Sequence, residues 1–163
     1  MKILIVGGAG YIGSHMIKRF QSTDYQIEVL DNLSTGFEEN SQSYKLHICE
    51  LSNKDQVYKI LKDNKYAAVM HFASSINVGE SYNNPIKYYE NNVTNTLNLL
   101  ECMVDLKILN FIFSSTAAVY GEPEKTPIKE EQILSPVNPY GNTKAMVEKI
   151  LNDYDKSYGL KYV

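Results

Sequence analysis

Apolar residues along this chain come in two kinds of block that alternate from one end to the other. Short continuous runs rich in Ile, Val, Leu and Phe are followed by longer stretches with the three- to four-residue spacing of an amphipathic helix. The short runs predict strands at 2–6, 26–31, 44–49, 66–72 and 110–114. The spaced stretches predict helices at 11–22, after the caps offered by Ser52-Asn53-Lys54-Asp55, after Pro85, and over about 140–158. Their expected inward faces are Val57, Ile60 and Leu61; then Ile86, Tyr89, Val93, Leu97, Leu100 and Val104; and last Val147, Ile150, Leu151, Tyr154 and Tyr158. Gly159 is placed to end the last helix. Residues 32–43 and 117–138 have no hydrophobic period and predict loops, and 160–163 read as the start of a sixth strand.

Such alternation, with right-handed crossovers, predicts an α/β fold: a doubly wound parallel sheet of Rossmann-like form. Ligands of such sheets lie at the carboxyl ends of the strands. The segment after Val6, Asp31, Phe72-Ala73-Ser74 and Ser114-Ser115-Thr116 all follow strand ends, so they are expected along one edge.

That edge carries chemistry. Gly7, Gly10 and Gly13 are spaced Gly-x-x-Gly-x-x-Gly between a strand and a helix. The first allows the tight turn, the second lets backbone amides approach a pyrophosphate, and the third lets helix and strand pack closely. The pyrophosphate then meets the unpaired amides of a helix N-terminus. Asp31, closing the second strand 18 residues after Gly13, suits the adenosine ribose and repels the 2′-phosphate of NADP, so the expected cofactor is NAD. Tyr140 and Lys144 stand at i and i+4, on one helix face. A phenol is a weak base at neutral pH, but a neighbouring ammonium favours the phenolate and lets it exchange a proton with a substrate hydroxyl. Thr116 offers a hydroxyl to the same oxygen, or caps a turn.

Bulk properties narrow the class. The 163 residues suit one domain with a real core. A net charge of −3 leaves no polybasic footprint for nucleic acid or an anionic membrane surface. No apolar run approaches the roughly 18 residues of a membrane span, and the first residues lack a signal-peptide pattern. Cys49 and Cys102 read as buried free thiols of a reducing compartment, so a cytoplasmic protein is expected, with no metal site.

The chain resembles the extended short-chain dehydrogenase/reductase family, in its nucleotide-sugar epimerase branch. The likeness runs through Gly7-Gly8-Ala9-Gly10-Tyr11-Ile12-Gly13, Leu30-Asp31-Asn32-Leu33-Ser34, His71-Phe72-Ala73-Ser74, Val78-Gly79-Glu80-Ser81 and Tyr88-Tyr89-Glu90-Asn91-Asn92-Val93. It continues through Phe113-Ser114-Ser115-Thr116-Ala117-Ala118-Val119-Tyr120-Gly121 and Pro139-Tyr140-Gly141-Asn142-Thr143-Lys144. The resemblance implies Thr116, Tyr140 and Lys144 as the catalytic triad. It implies cofactor contacts from Tyr11, Ile12, Asn32, Ser34, Thr35, Gly36, Glu50, Leu51, Phe72, Ala73, Ser74, Asn91 and Ser114, as well as from the triad's Tyr140 and Lys144. Asn92, Thr116 and Tyr140 are implied at the substrate. Two positions depart from the family: Cys49-Glu50 replaces its usual Gly-Asp, and Ile76 stands where some members have a lysine.

The implied activity is NAD-dependent 4-epimerisation of a UDP-hexose, such as UDP-glucose or UDP-galactose, through a transient 4-keto sugar. The implied partners are the UDP-sugar and, at full length, a second copy in a homodimer. Dehydratases of the family place Asp-Glu just after the threonine, and decarboxylases often carry Glu at the second position. Here both are methyl-bearing Ala117 and Ala118, which cannot transfer protons. The resemblance also implies that residues 1–163 are the NAD-binding part, incomplete and without the substrate domain, so an NAD-binding fragment with no activity is the competing expectation.

Overall fold

The structure, a computed structural model, describes every residue except Gln42 and Glu124. Those two fall within the loops expected at 32–43 and 117–138, and lie outside the described residues. In chain order come β1 (Lys2–Val6), α1 (Tyr11–Phe20), β2 (Gln26–Asp31), β3 (Lys45–Ile48), α2 (Lys54–Asn64), β4 (Ala68–His71) and α3 (Val78–Asn83). They are followed by α4 (Pro85–Tyr89), a π-turn (Glu90–Thr94), α5 (Asn95–Asp105), β5 (Asn110–Phe113), α6 (Pro139–Tyr158) and β6 (Lys161–Tyr162). Short 3-10 turns sit at Glu38–Ser41 and Ala117–Tyr120.

Six strands of the described residues form one sheet in the order β3-β2-β1-β4-β5-β6, with every neighbouring pair parallel. The chain winds outward from β1 to β3, returns to β4 on the other side of β1, and winds outward again. Between β1 and β4 the winding reverses, which is where ligands of such sheets bind, in the crevice outside the carboxyl ends of the strands.

Side chains alternate between the two faces of each strand. Leu4, Val6, Leu30, Val69 and Phe111 face α2, α5 and α6, packing with Val57, Leu61, Leu99, Leu100, Met103, Val147 and Leu151. Ile3, Ile5, Ile27, Val29, Ala68 and Met70 face α1, packing with Ile17, Met16 and Phe20. Covered on both sides, β1 has almost no polar position, as a central parallel strand requires.

The helix expected after Pro85 differs from its periodicity. Before it lies α3, which the pattern missed because Val78 and Tyr82 are exposed and leave no apolar stripe. It is nucleated instead by Asn77, whose side chain accepts from Glu80 N; Asn84 caps α4 in the same way through Lys87 N. The buried face then runs through Tyr88, Asn92, Thr96, Leu99, Leu100 and Met103, while Ile86 is 68% exposed. The π-turn inserts a residue into the helical repeat and rotates the face, and two of the buried residues are polar. Tyr158, expected inward, is exposed at the end of α6. Gly159 follows it at φ 74° and donates its N–H to Asp155 O, as expected of a C′ glycine.

Candidate functional site

Three glycines build the first wall of the crevice. Gly7 sits at φ +78°, and a methyl group there would lie 2.4 Å from Ala73 N. A methyl at Gly13 would lie 2.3 Å from Gly7 O and 2.6 Å from Gly8 Cα, so α1 packs directly on the turn. At Gly10 the nearest atom would be 3.4 Å away, which leaves room over the turn. Gly10 is also the N-cap of α1 and supplies no side-chain cap, so the first amides of α1 meet that space with the positive end of the helix dipole. Tyr11 and Ile12, at the helix start, are exposed.

Asp31 closes the far side. Its two carboxylate oxygens accept from Ala9 N and Leu33 N, both at 2.9 Å, which fixes the carboxylate at the end of β2. Next to it Asn32 accepts from Ser34 N at 3.0 Å and Ser34 Oγ at 2.8 Å and donates to Glu50 at 3.0 Å. The extra methylene of Glu50 is thus accommodated by a tether to Asn32. Leu51 packs into the core and its carbonyl accepts from Asn98. Thr35 is exposed, and Gly36 lies flat on Ala9, where a methyl would approach within 2.7 Å. Phe37 N and Asn40 Nδ2 both donate to Ala9 O, folding the loop back over the glycine turn.

The second wall is made by β4, β5 and α6. Phe72, Ala73 and Ser74 leave β4 against Gly7, and the buried Ser74 Oγ has no partner among the described residues. A buried hydroxyl just past the end of β4 with nothing to bond is a group waiting for a partner. Lys144 is 3% exposed; its ammonium donates to Ser114 O at 2.8 Å and sits 4.7 Å from the centre of the Phe113 ring. Burial pulls its pKa down to about 8, with the Glu148 carboxylate acting the other way. Tyr140 precedes it by one turn and is half-buried. Asn138 caps this helix start through Gly141 N at 2.7 Å. The Thr116 oxygen accepts from Ala118 N at 3.2 Å, so it does cap a turn, and its O–H remains available to a substrate.

Of the two asparagines of the π-turn, Asn92 is used differently from expectation. Asn92 Oδ1 accepts from Ser75 N and Asn91 Nδ2, and its Nδ2 donates to Ser75 O and Thr143 Oγ1. It is 2% exposed and all four of its hydrogen-bonding positions are filled. No polar atom of Asn92 is left for a substrate, so it braces the loop after β4 against α6 instead. Asn91 is half-buried and bonds Ser75 Oγ. Thr143 passes the brace on by donating to Tyr140 O at 2.7 Å.

Sequence reasoning also missed His71 beneath the site. Thr96 Oγ1 donates to Asn92 O, so at 3.0 Å His71 Nε2 must be the donor to Thr96. Burial, with Lys144 nearby, lowers the His71 pKa to about 3 and keeps the ring neutral. A histidine inside an apolar strand was the available signal. Cys49 and Cys102 are buried free thiols, with the Cys49 pKa raised to about 11 by burial and Glu50. Among the described residues no helix is long and apolar enough to cross a membrane.

Residues 4–163 match the family model described as GDP-mannose 4,6 dehydratase. A UDP-glucose 4-epimerase of Lactobacillus helveticus is 46% identical over 99% of this chain and 49% of its own length. One of Rhizobium meliloti is 43% identical over 99% of this chain and 49% of its own length. The crystal structure of UDP-glucose 4-epimerase from Brucella ovis in complex with NAD superposes with a TM-score of 0.96 at 41% identity, covering 99% of this chain and 50% of that one. The Thermotoga maritima enzyme with UDP-glucose gives 0.94 at 34% identity, covering 99% and 53%. The chain spans about half the length of the relatives it matches.

Proposed function

Since the chain belongs to the family described as GDP-mannose 4,6 dehydratase, we propose that it binds NAD and contributes the catalytic groups for 4-epimerisation of a UDP-hexose. The observation that carries this reading is the meeting of the Tyr140–Lys144 helix face with the Ser114–Thr116 strand end, beside the open glycine turn. The residues present fit the dinucleotide: space over Gly10, an uncapped helix start, a fixed carboxylate at Asp31 and the unpartnered Ser74 hydroxyl. When bound, NAD⁺ supplies the hydride acceptor for C4 of the hexose and the donor for its return.

The protein's own groups do the rest. The amides of α1 hold the pyrophosphate, and Asp31 holds the adenosine ribose while repelling a 2′-phosphate. Tyr140 takes the proton of the sugar C4 hydroxyl and gives it back after the 4-keto sugar has turned. Lys144, protonated, stabilises the phenolate. The Thr116 O–H donates to the same sugar oxygen and keeps it in line. Elimination of water would need a further acid and base, and Ala117 and Ala118 provide methyl groups there, which favours epimerisation over the dehydration named in the family description.

UDP-galactose incubated with the purified protein and NAD tests this, with UDP-glucose as the measured product. Interconversion is expected, falling roughly 10²- to 10⁴-fold in Tyr140→Phe while NAD affinity is kept. The half-length coverage of the relatives favours a second reading, in which these 163 residues hold NAD without turnover. Calorimetric NAD binding with no product would support that one. A folded chain with no affinity for NAD would overturn both.

A further inference from the structure

We propose that Glu148 is a positioning residue of this site. By its hydrogen bond to Ser115 it ties the strand end carrying Ser114 and Thr116 to the helix carrying Tyr140 and Lys144, and it presents the carboxylate that acts on the Lys144 ammonium. The role of the Tyr140–Lys144 pair rests on the function proposed above; the placement of Glu148 does not.

The geometry is a stripe. Tyr140, Lys144 and Glu148 follow one another at four-residue intervals on α6, so they share one face of three successive turns. Two neighbouring residues of the strand end meet the second and third of them: Ser114 O accepts from Lys144 Nζ, and Ser115 Oγ donates to Glu148 Oε1. Thr116 is the next residue along. Two adjacent stitches therefore tie the segment leading into Thr116 to this helix face, and cutting the Glu148 stitch leaves the single bond to Ser114 O to hold the strand end to this stripe. Glu148 and Ser115 line an open groove of about 630 Å³ whose other walls include Phe113, Lys149, Leu151 and Tyr162, so solvent screens the carboxylate in part.

Charge gives the second half of the argument. His71 approaches Lys144 from β4 and is neutral; Phe113 and Ser114 O approach from β5; Tyr140 and Glu148 flank it on α6. Tyr88, near Tyr140, keeps its proton, its pKa raised to about 12 by burial and by Glu80. Glu148 is thus the anion that offsets the burial of the lysine. Without it more of the amine would be uncharged at neutral pH, and an uncharged amine cannot favour a phenolate.

Carbon-13 NMR of the lysine ε-methylenes measures this in the full 163-residue chain, with the Lys144 signal assigned by its loss in Lys144→Met. The wild-type midpoint is expected near 8. Glu148→Gln should lower it by roughly half to one pH unit, the size of one carboxylate a helical turn away in a partly screened setting. Ser115→Ala should move it the same way, because the carboxylate is no longer pinned, and Ser115→Thr should restore the wild-type midpoint. A stability role alone would shift the unfolding midpoint and leave this titration in place. An unmoved midpoint in Glu148→Gln, or in Ser115→Ala, would overturn the proposal. NAD affinity, measured in parallel by calorimetry, separates the two readings: a moved lysine with no NAD binding sinks the proposed function and leaves the placement of Glu148 standing.

Discussion

Replacing Asn92 by leucine keeps the branched side-chain skeleton but exchanges its amide for two larger methyls, so a lower bound on its cost can be worked from the bonds that are lost. Four hydrogen bonds of 2.8 to 3.1 Å disappear together. Two of their partners have somewhere else to go: Thr143 still donates to Tyr140 O, and Asn91 still reaches Ser75 Oγ. Ser75 N and Ser75 O do not, and they sit half-buried against a side chain that can no longer pair with them. An unsatisfied buried group costs about 1–3 kcal/mol, which makes the expected loss for the two groups about 2–6 kcal/mol. That is a large share of the roughly 5–15 kcal/mol that holds a domain together. Urea unfolding followed by circular dichroism reads it as a lower midpoint at unchanged slope. Because the brace joins the loop after β4 to the first turns of α6, NAD affinity should fall as well, while the sheet stays intact. A leucine variant within 1 kcal/mol of wild type would refute the reasoning, since it would mean that the Ser75 groups find water or partners at no cost.

Two further outcomes follow from the same structure. Glu28 accepts from Lys2 at 2.8 Å, His47 at 2.6 Å and Tyr66 at 2.5 Å. Burial would raise its pKa, but those donors outweigh it and bring it down from 4.5 to about 2, so its stabilisation is present above pH 4.5 and is lost as pH falls toward 2. The gap between wild type and Glu28→Gln, on the order of 2–3 kcal/mol at pH 7, should therefore shrink steadily in urea titrations between pH 4.5 and 2.5; a constant gap would argue against it. NADP should bind more than tenfold less tightly than NAD, a difference of about 1.4 kcal/mol or more, and Asp31→Asn should narrow it while keeping one acceptor for the amides of Ala9 and Leu33. Equal affinities in wild-type calorimetry would remove Asp31 from its assigned role.

Local pattern was enough to determine the kind of fold. A parallel strand buried on both faces must be nearly all apolar, and β1 is; Gly10 marks the start of α1, and Asn138-Pro139 and Gly159 mark the two ends of α6. The glycine spacing, Asp31, and the four-residue step from Tyr140 to Lys144 are likewise properties of neighbours in sequence, so they could be read before any packing was known. What the chain does between residues 77 and 105 was decided by tertiary structure. Its buried face includes Asn92 and Thr96, polar residues that can go inside only because Ser75, Thr143 and His71 arrive from other elements to bond them. The π-turn that accompanies them rotates the stripe away from any single helical period. The same holds at the site. Thr116 is both cap and candidate substrate contact, and Lys144 sits in a buried niche whose acceptor is Ser114 O, a backbone carbonyl 30 residues away. Periodicity records which residues prefer the interior; which polar groups are admitted there depends on partners that only the folded chain brings within 3 Å or so.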